Sequence, residues 1–536
     1  MKKIMVAIIC SAAAVCIVAY AQNGSDWEAR GKRWWAHVEF LANDKLEGRD
    51  TGSAGFEKAA DYVADQFARA GLKPAGVKGY RQPVEFVAAQ LDEENSSLEL
   101  VRDGKAEPVI FGESGFLTVN QDTARQVDAA AVFVGYGLAV PELHYDDFAG
   151  LDLKGKIAVY MSGGPADMPG PLKAHYQSAE ERRKALHKAG AIGVASIQNP
   201  KAVEVPWERT AGARFQPRME LKLDPRAARD PGYAFNMVIN PERTEKFFAG
   251  SGHTFQEIVD AANTNKPLPH FALAVRFRGQ LGKKLSPVRS ENVVGMLPGS
   301  DPVFAKEYVV VSAHLDHVGI GAEVNGDRIY NGAMDDASGI ASLIEIARIL
   351  KESGAKPKRS LLFLAVTAEE KGLLGSRYFA DHSTVDARAI VADFNMDMFL
   401  PLFPLKYLEV QGLDESSLGN DIRAVCQTAG VEVQADKMPD NNRFIRSDQY
   451  SFIRKGVPAL AFKFGWLLGS PEEKIFKDWY NDRYHGPADD LKQPVDLEGA
   501  ARFNAILQTL ALRVANAPQR PQWKPDSFFR RFAPRS

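Results

Sequence analysis

Tyr308-Val309-Val310-Val311-Ser312-Ala313-His314-Leu315-Asp316-His317 runs from an unbroken apolar segment directly into two histidines and an acid. An apolar run without alternation is what a strand needs when both faces of a parallel sheet are covered. A histidine at the carboxyl end of such a strand points into the crevice where open α/β sheets hold their ligands. Asp316 can accept the hydrogen bond that fixes an imidazole's tautomer and orientation. Read alone, the His-x-Asp pattern also describes a loop histidine beside a solvated acid.

Working outward, Asn331-Gly332-Ala333-Met334-Asp335-Asp336-Ala337-Ser338-Gly339 leads into a helix whose buried face is marked by Ile340, Leu343, Ile344, Ala347 and Leu350. One aspartate would serve as an N-cap. Two, among glycines and small residues that permit close backbone approach, leave a carboxylate able to bridge two cations. Val366-Thr367-Ala368-Glu369-Glu370-Lys371-Gly372 follows the strand-like Leu361–Val366. Adjacent glutamates on a surface helix are usually solvated. At a strand end, one can ligate a metal while its neighbour takes a proton from metal-bound water. Asn395-Met396-Asp397-Met398 ends another strand-like run. Tyr484-His485-Gly486-Pro487-Ala488-Asp489-Asp490 sets a second histidine in a loop fixed by Gly and Pro. Each element is modest alone. Together, two histidines, three carboxylates and a spare glutamate suit two zinc ions, with cobalt or manganese as substitutes, and no thiolate is offered. Further strands at Tyr407–Val410 and Pro458–Phe464 alternate with helices, which predicts an α/β fold.

The segments HLDH (314–317), NGAMDDASG (331–339), TAEEKGLLGS (367–376), NMDM (395–398), RSDQYSFIRKGVPAL (446–460) and YHGPADD (484–490) together resemble the co-catalytic two-zinc aminopeptidase family of peptidase clan MH. GRDTGSAG (48–55) resembles that family's N-terminal signature. Gly135-Tyr136-Gly137 and Leu153-Lys154-Gly155-Lys156 resemble the protease-associated domain that many members carry inserted. The resemblance implies a zinc exopeptidase fold, a mixed and mostly parallel sheet sandwiched by helices, with a β-rich insertion. It implies that His314 and Asp397 hold one zinc, Glu370 and His485 the other, and that Asp335 bridges them across a cis peptide following Asp335. Glu369 matches the general base and Asp316 the acid that orients a ligand. The expected reaction removes N-terminal residues from peptides through a metal-bridged hydroxide. Many relatives have histidine after the Ser-Asp pair, where this chain has Ser447-Asp448-Gln449; substrate recognition is where that departure would act.

The chain divides by texture into a segment 1–21 that reads as a signal peptide, an N-terminal part of the peptidase domain at 22–126, an inserted domain at 127–288, a catalytic domain at 289–516 and a loosely attached tail at 517–536. Lys2 and Lys3 precede an apolar run, and Ala19-Tyr20-Ala21 offers a small-x-small cleavage site, so the protein is expected to be exported, periplasmic or secreted, with no stable membrane anchor. From Trp27 to Glu85 the reading is helical, with Phe56, Ala59, Ala60, Val63 and Phe67 on one face and Gly71 as a left-handed cap. Pro206–Pro231 reads as a surface excursion. Only Cys426 remains outside the signal segment, so no intramolecular disulfide can form in the mature chain. A formal charge of −2, without a lysine or arginine cluster, excludes a nucleic-acid footprint. The partners expected are peptides.

Tyr450 and Tyr484 are candidates to donate to the developing oxyanion. Phe399, with Leu400 and Phe403, either lines an apolar side-chain pocket or packs as ordinary core. Arg443 and Arg446 either stand solvated or bind a substrate carboxylate as a fork, which would favour a carboxypeptidase or dipeptidase on the same scaffold. A glutaminyl cyclase is a further alternative. An inactive binding homologue should have lost a metal residue, and here all five and the base are present.

Overall fold

The computed structural model describes residues 24–203, 205–222, 232–441 and 443–534; the signal segment lies outside them. The apolar runs read from the sequence become the middle of a ten-stranded mixed sheet. Tyr308–His314 lies between Ser360–Val366 and Ile390–Asn395, parallel to both, and Ala459–Gly465 continues the parallel set. Ser360–Val366 is buried at every position. Its side chains alternate between two cores, as the pleat requires. Leu361, Phe363 and Ala365 pack under the helices Gly24–Leu41, Ala54–Arg69, Ser338–Glu352 and Leu497–Asn516. Leu362, Leu364 and Val366 meet Phe379 and Phe452 on the opposite face. The sheet is therefore sandwiched by helices, as expected, and its parallel centre ends at one common edge.

Antiparallel strands flank that centre. Lys283–Leu297 pairs with Ser360–Val366 on one side and with Arg81–Leu91 on the other. The helical reading as far as Glu85 thus fails after Arg69. Gly71 does take the left-handed conformation at φ 76°, but Val84, Phe86 and Ala88 then bury one face of a strand. The period changes from 3.6 to 2 within a few residues, and a long window averages over the change.

The second sheet has eight strands and draws them from Ser97 to Gln280. Three of its strands, Ser97–Arg102, Lys105–Pro108 and Gly115–Leu117, lie upstream of residue 127, where the sequence reading starts the inserted domain. The surface excursion is anchored as well. Its strand Arg218–Leu221 pairs with Arg81–Leu91 at the edge of the first sheet, and Met219 packs against Phe86. The tail is not loosely attached. Trp523 bridges to Ser416 and donates from Nε1 to the Gly456 carbonyl at 2.8 Å, while Phe529 is fully buried. Aromatic area of that size outweighs the entropy of ordering a short segment. Cys426 is free and buried. Among the described residues no helix is long and apolar enough to cross a membrane.

Candidate active site

Three adjacent parallel strands deliver the chemistry to one edge. His314 is the last residue of its strand, Glu369 and Glu370 follow Val366, and Asp397 follows Asn395. Asp335 comes from the segment before the helix Ser338–Glu352, and the peptide joining it to Asp336 is cis. His485 stands just beyond the helix Pro471–Asp482.

These side chains converge. His314 Nε2 is 3.1 Å from Asp335 Oδ1 and 3.6 Å from Asp397 Oδ1. His485 Nε2 is 3.3 Å from Asp335 Oδ2 and 3.1 Å from Glu370 Oε2. Asp335 thus stands between two groups, one on each carboxylate oxygen. A third histidine joins the second group: His317, fully buried, has Nδ1 2.8 Å from Glu370 Oε1 and 3.8 Å from Asp335 Oδ2. The sequence reading gave His317 no role, although it lies in the same motif as His314. Ligand atoms of His314, Asp335 and Asp397, and of His317, Asp335 and Glu370, fall within 4.8 Å of one another in each set.

The donor set fits divalent cations. Asp335 Oδ2, Glu370 Oε1 and Asp397 Oδ1 are buried, and although imidazole nitrogens stand near them they accept no hydrogen bond of good geometry among the described residues, a costly state unless a cation is there. Burial opposes charge on His485, yet Glu370 and Asp335 hold its imidazole up to about 10. The cage therefore has a marked surplus of negative field. Burial drives the Glu369 carboxyl well above its usual range, with Asp397, Asp448 and Glu370 adding to the effect.

The residues behind the ligands differ in part from expectation. His314 Nδ1 donates to the main-chain carbonyl of Asp316 at 2.9 Å, which leaves Nε2 facing the carboxylates. The Asp316 carboxylate does not orient the imidazole. It accepts from Thr51 Oγ1 at 3.0 Å and from the backbone N–H groups of Glu369 and Glu370 at 3.1 and 3.3 Å. Its acid therefore positions the base, and its carbonyl the ligand. Asp336 accepts from the His314, Gly339 and Met398 N–H groups, so the second aspartate of the pair ties three ligand-bearing segments together. Asp489 accepts from the N–H groups of Met334 and Asp335. Arg49, 1% exposed, donates to the carbonyls of Leu41, Leu315, Asn331 and Gly332. Arg209, from the insertion, donates to the Tyr484 carbonyl at 2.9 Å and to that of Asn481, fixing the turn that carries His485. Of these, Arg49 and Asp489 lie inside the quoted motifs; Arg209 left no signal in the sequence.

A cavity opens beside the carboxylates. Asp335, Glu369, Asp397 and His485 line it together with Tyr484, Arg443 and Arg446. Two of the expected substrate residues are elsewhere. Tyr450 hydroxyl meets His175 Nδ1 at 2.9 Å, at the contact with the insertion. Phe399 is fully buried and stacks on Phe503 with ring centroids 4.2 Å apart. It is core, as are Leu400 and Phe403.

In this fold and site, a parallel sheet gathers histidines and carboxylates at its carboxyl edge around a shared aspartate. Residues 292–511 match the family model described as Peptidase family M28. It is 29% identical over 227 residues to Aminopeptidase YwaD of Bacillus subtilis (strain 168), a match covering 40% of this chain and 45% of that protein. It is 26% identical over 232 residues to Carboxypeptidase Q of Mus musculus, covering 42% and 43% respectively. The chain thus spans less than half the length of these two relatives. Among solved structures, the aminopeptidase from Aneurinibacillus sp. strain AM-1 has the same fold, with a TM-score of 0.55 at 20% identity over 93% of this chain and 97% of that one.

Proposed function

We propose that the protein is an exported aminopeptidase that holds two zinc ions and removes N-terminal residues from peptides. The observation that carries this reading is the shared Asp335, flanked by His314 with Asp397 and by Glu370 with His485, with Glu369 beside them in one cavity. Zinc at this site would supply Lewis acidity for the scissile carbonyl and for water.

The chain's own residues account for the rest. Glu369 sits in the cavity with no place among the ligand groups, and burial raises its proton affinity. It is suited to take a proton from the attacking water and return it to the leaving amine. The Asp316 carboxylate holds the backbone of Glu369, so that base and ligand Glu370 keep fixed positions. Tyr484 lines the cavity and stacks on His485 at 4.0 Å between centroids, where its hydroxyl is a candidate oxyanion donor. The carboxylate-rich floor favours a free α-ammonium group on the substrate. We read the second sheet as a protease-associated domain with a supporting role, consistent with Arg209 reaching the His485 turn. Residues 1–21 are read as a signal peptide that directs the chain to the periplasm or beyond.

A carboxypeptidase or dipeptidase is the second reading, favoured by Arg443 and Arg446 in the cavity wall. Mass-spectrometric cleavage of one peptide panel with free and acetylated N-termini separates the two. Stepwise loss from free N-termini only, abolished by a zinc chelator, is expected. Loss from the carboxyl end, or indifference to acetylation, would reject the aminopeptidase.

A further inference from the structure

The proposed reaction gives His317 no part, yet the residue is fully buried where the His485 side chain keeps 34% of its surface exposed. Its main-chain N–H donates to the Arg49 carbonyl at 3.2 Å. Its ring is seated against Gly332, where a Cβ would lie 2.5 Å from His317 Cγ. Gly332 also takes a left-handed φ of 63°, so glycine there serves both the turn and the imidazole. Nδ1 stands 2.8 Å from Glu370 Oε1 and 3.8 Å from Asp335 Oδ2. These pairs lack the alignment of a hydrogen bond, and neither ring nitrogen has a hydrogen-bond partner among the described residues. A buried imidazole in that state is costly unless something else takes its lone pair.

Donors that share one tetrahedral zinc stand about 3.3 Å apart. His485 Nε2 lies 3.3 and 3.1 Å from Asp335 Oδ2 and Glu370 Oε2, and the two distances from His317 Nδ1 bracket the same value. A hydrogen bond to Glu370 would need the His317 N–H aimed at Oε1; a shared ion needs donor atoms at this spacing without that aim, which is the arrangement present. We infer that His317 is an additional protein ligand, binding through Nδ1 the same ion as Glu370 and His485. The inference rests on the two-zinc reading and makes the two positions unequal. His314, Asp335 and Asp397 offer three donors to one ion, whereas Asp335, Glu370, His317 and His485 offer four to the other. Four protein donors close a tetrahedral position and three leave one place open. The Glu370 position is then the tighter one, and the His314–Asp397 position is the one with room for the substrate's carbonyl.

The test uses the full chain, stripped of metal and reloaded with zinc in two steps. X-ray absorption counts the imidazoles on the bound zinc. Two imidazoles on the first ion and three over both ions are expected. Chelator competition should resolve two affinities at least about tenfold apart, the tighter one weakened about 100-fold in His317→Phe, which fills the ring's place without a donor. His317→Asn keeps an N–H for Glu370 but brings no imidazole, and it should weaken the same step. Parent-like affinity in His317→Asn, or a single imidazole on the first ion of the parent, overturns ligation and leaves His317 as a positioning residue for Glu370. Melting curves of the metal-free proteins check that both variants are folded; if neither is, the imidazole count of the parent decides alone. One bound ion with two imidazoles supports the inference and removes the two-zinc reading. Two ions with one imidazole each overturn the inference and leave the two-zinc reading standing. A chain that takes up no zinc overturns both.

Discussion

Replacing Arg49 with lysine should loosen the metal site without touching a ligand. Arg49 spreads its donors over four carbonyls: Nε to Leu315 at 3.0 Å, Nη2 to Gly332 at 3.1 Å, and Nη1 to Leu41 and Asn331 at 2.5 and 2.6 Å. Burial pulls its pKa down to about 10, with Asp489, Asp316, Asp335 and Asp336 opposing, so it stays charged at neutral pH. A lysine keeps the charge but gathers its donors at one nitrogen. Placed where Nη1 lies, that nitrogen can still serve Leu41 and Asn331, but not both Leu315 and Gly332. Those two carbonyls belong to the segments that carry His314 and Asp335. Two buried charge-assisted hydrogen bonds are worth about 1.5–3 kcal/mol each, and partial relaxation brings the expected loss to about 3 kcal/mol. For a peptidase unit of this size that is a fall of about 4 °C in Tm. Because the clamp joins two ligand segments, zinc affinity should fall about tenfold as well. Scanning calorimetry of zinc-loaded and zinc-free protein, with chelator competition for affinity, measures both. A variant with unchanged Tm and unchanged zinc affinity would refute the clamp.

Glu369→Gln should keep full zinc content by elemental analysis while kcat falls about 10³-fold; activity within tenfold of the parent would remove Glu369 as the base. Arg209→Ala takes the donor from the Tyr484 and Asn481 carbonyls, and about tenfold weaker binding of one of two zinc ions is expected in titration. Equal retention of both ions would show that the insertion does not support the His485 turn. His175, buried against Tyr450, has its pKa lowered to about 4 by burial, with Arg454 and Arg531 adding to the effect and Glu181 and Glu142 opposing it. The folded state therefore disfavours its proton: this contribution is fully present above pH ~6.5 and is lost as pH falls toward 4, by about 2 kcal/mol after allowance for solvent screening. Unfolding free energies for His175→Asn should fall less steeply than the parent's across that window, and parallel curves would exclude His175 as the cause.

Much of the site was legible because its residues sit where strands end. An apolar run long enough to be buried on both faces marks the strand, and polar residues within a few positions of its carboxyl end can reach the crevice. His314, Glu369, Glu370 and Asp397 follow from that rule, and the helix Ser338–Glu352 from its period. What periodicity reports is that a face is covered, not what covers it. It could not tell that Phe399 is covered by Phe503, that Tyr450 turns to His175, or that Arg218–Leu221 returns to pair with Arg81–Leu91. Nor could it tell that the Asp316 carboxylate would hold the backbone of Glu369 while its carbonyl held His314. The sequence by itself determined the central parallel strands, the types of the candidate ligands and their order along the chain, since these depend on local pattern and on the chemistry of each side chain. The tertiary structure decided the partners of Arg49, the third histidine at His317, the ordered tail and the cationic cavity wall. Each of those depends on which distant surfaces meet, and hydrophobic burial, being non-directional, leaves that choice to packing.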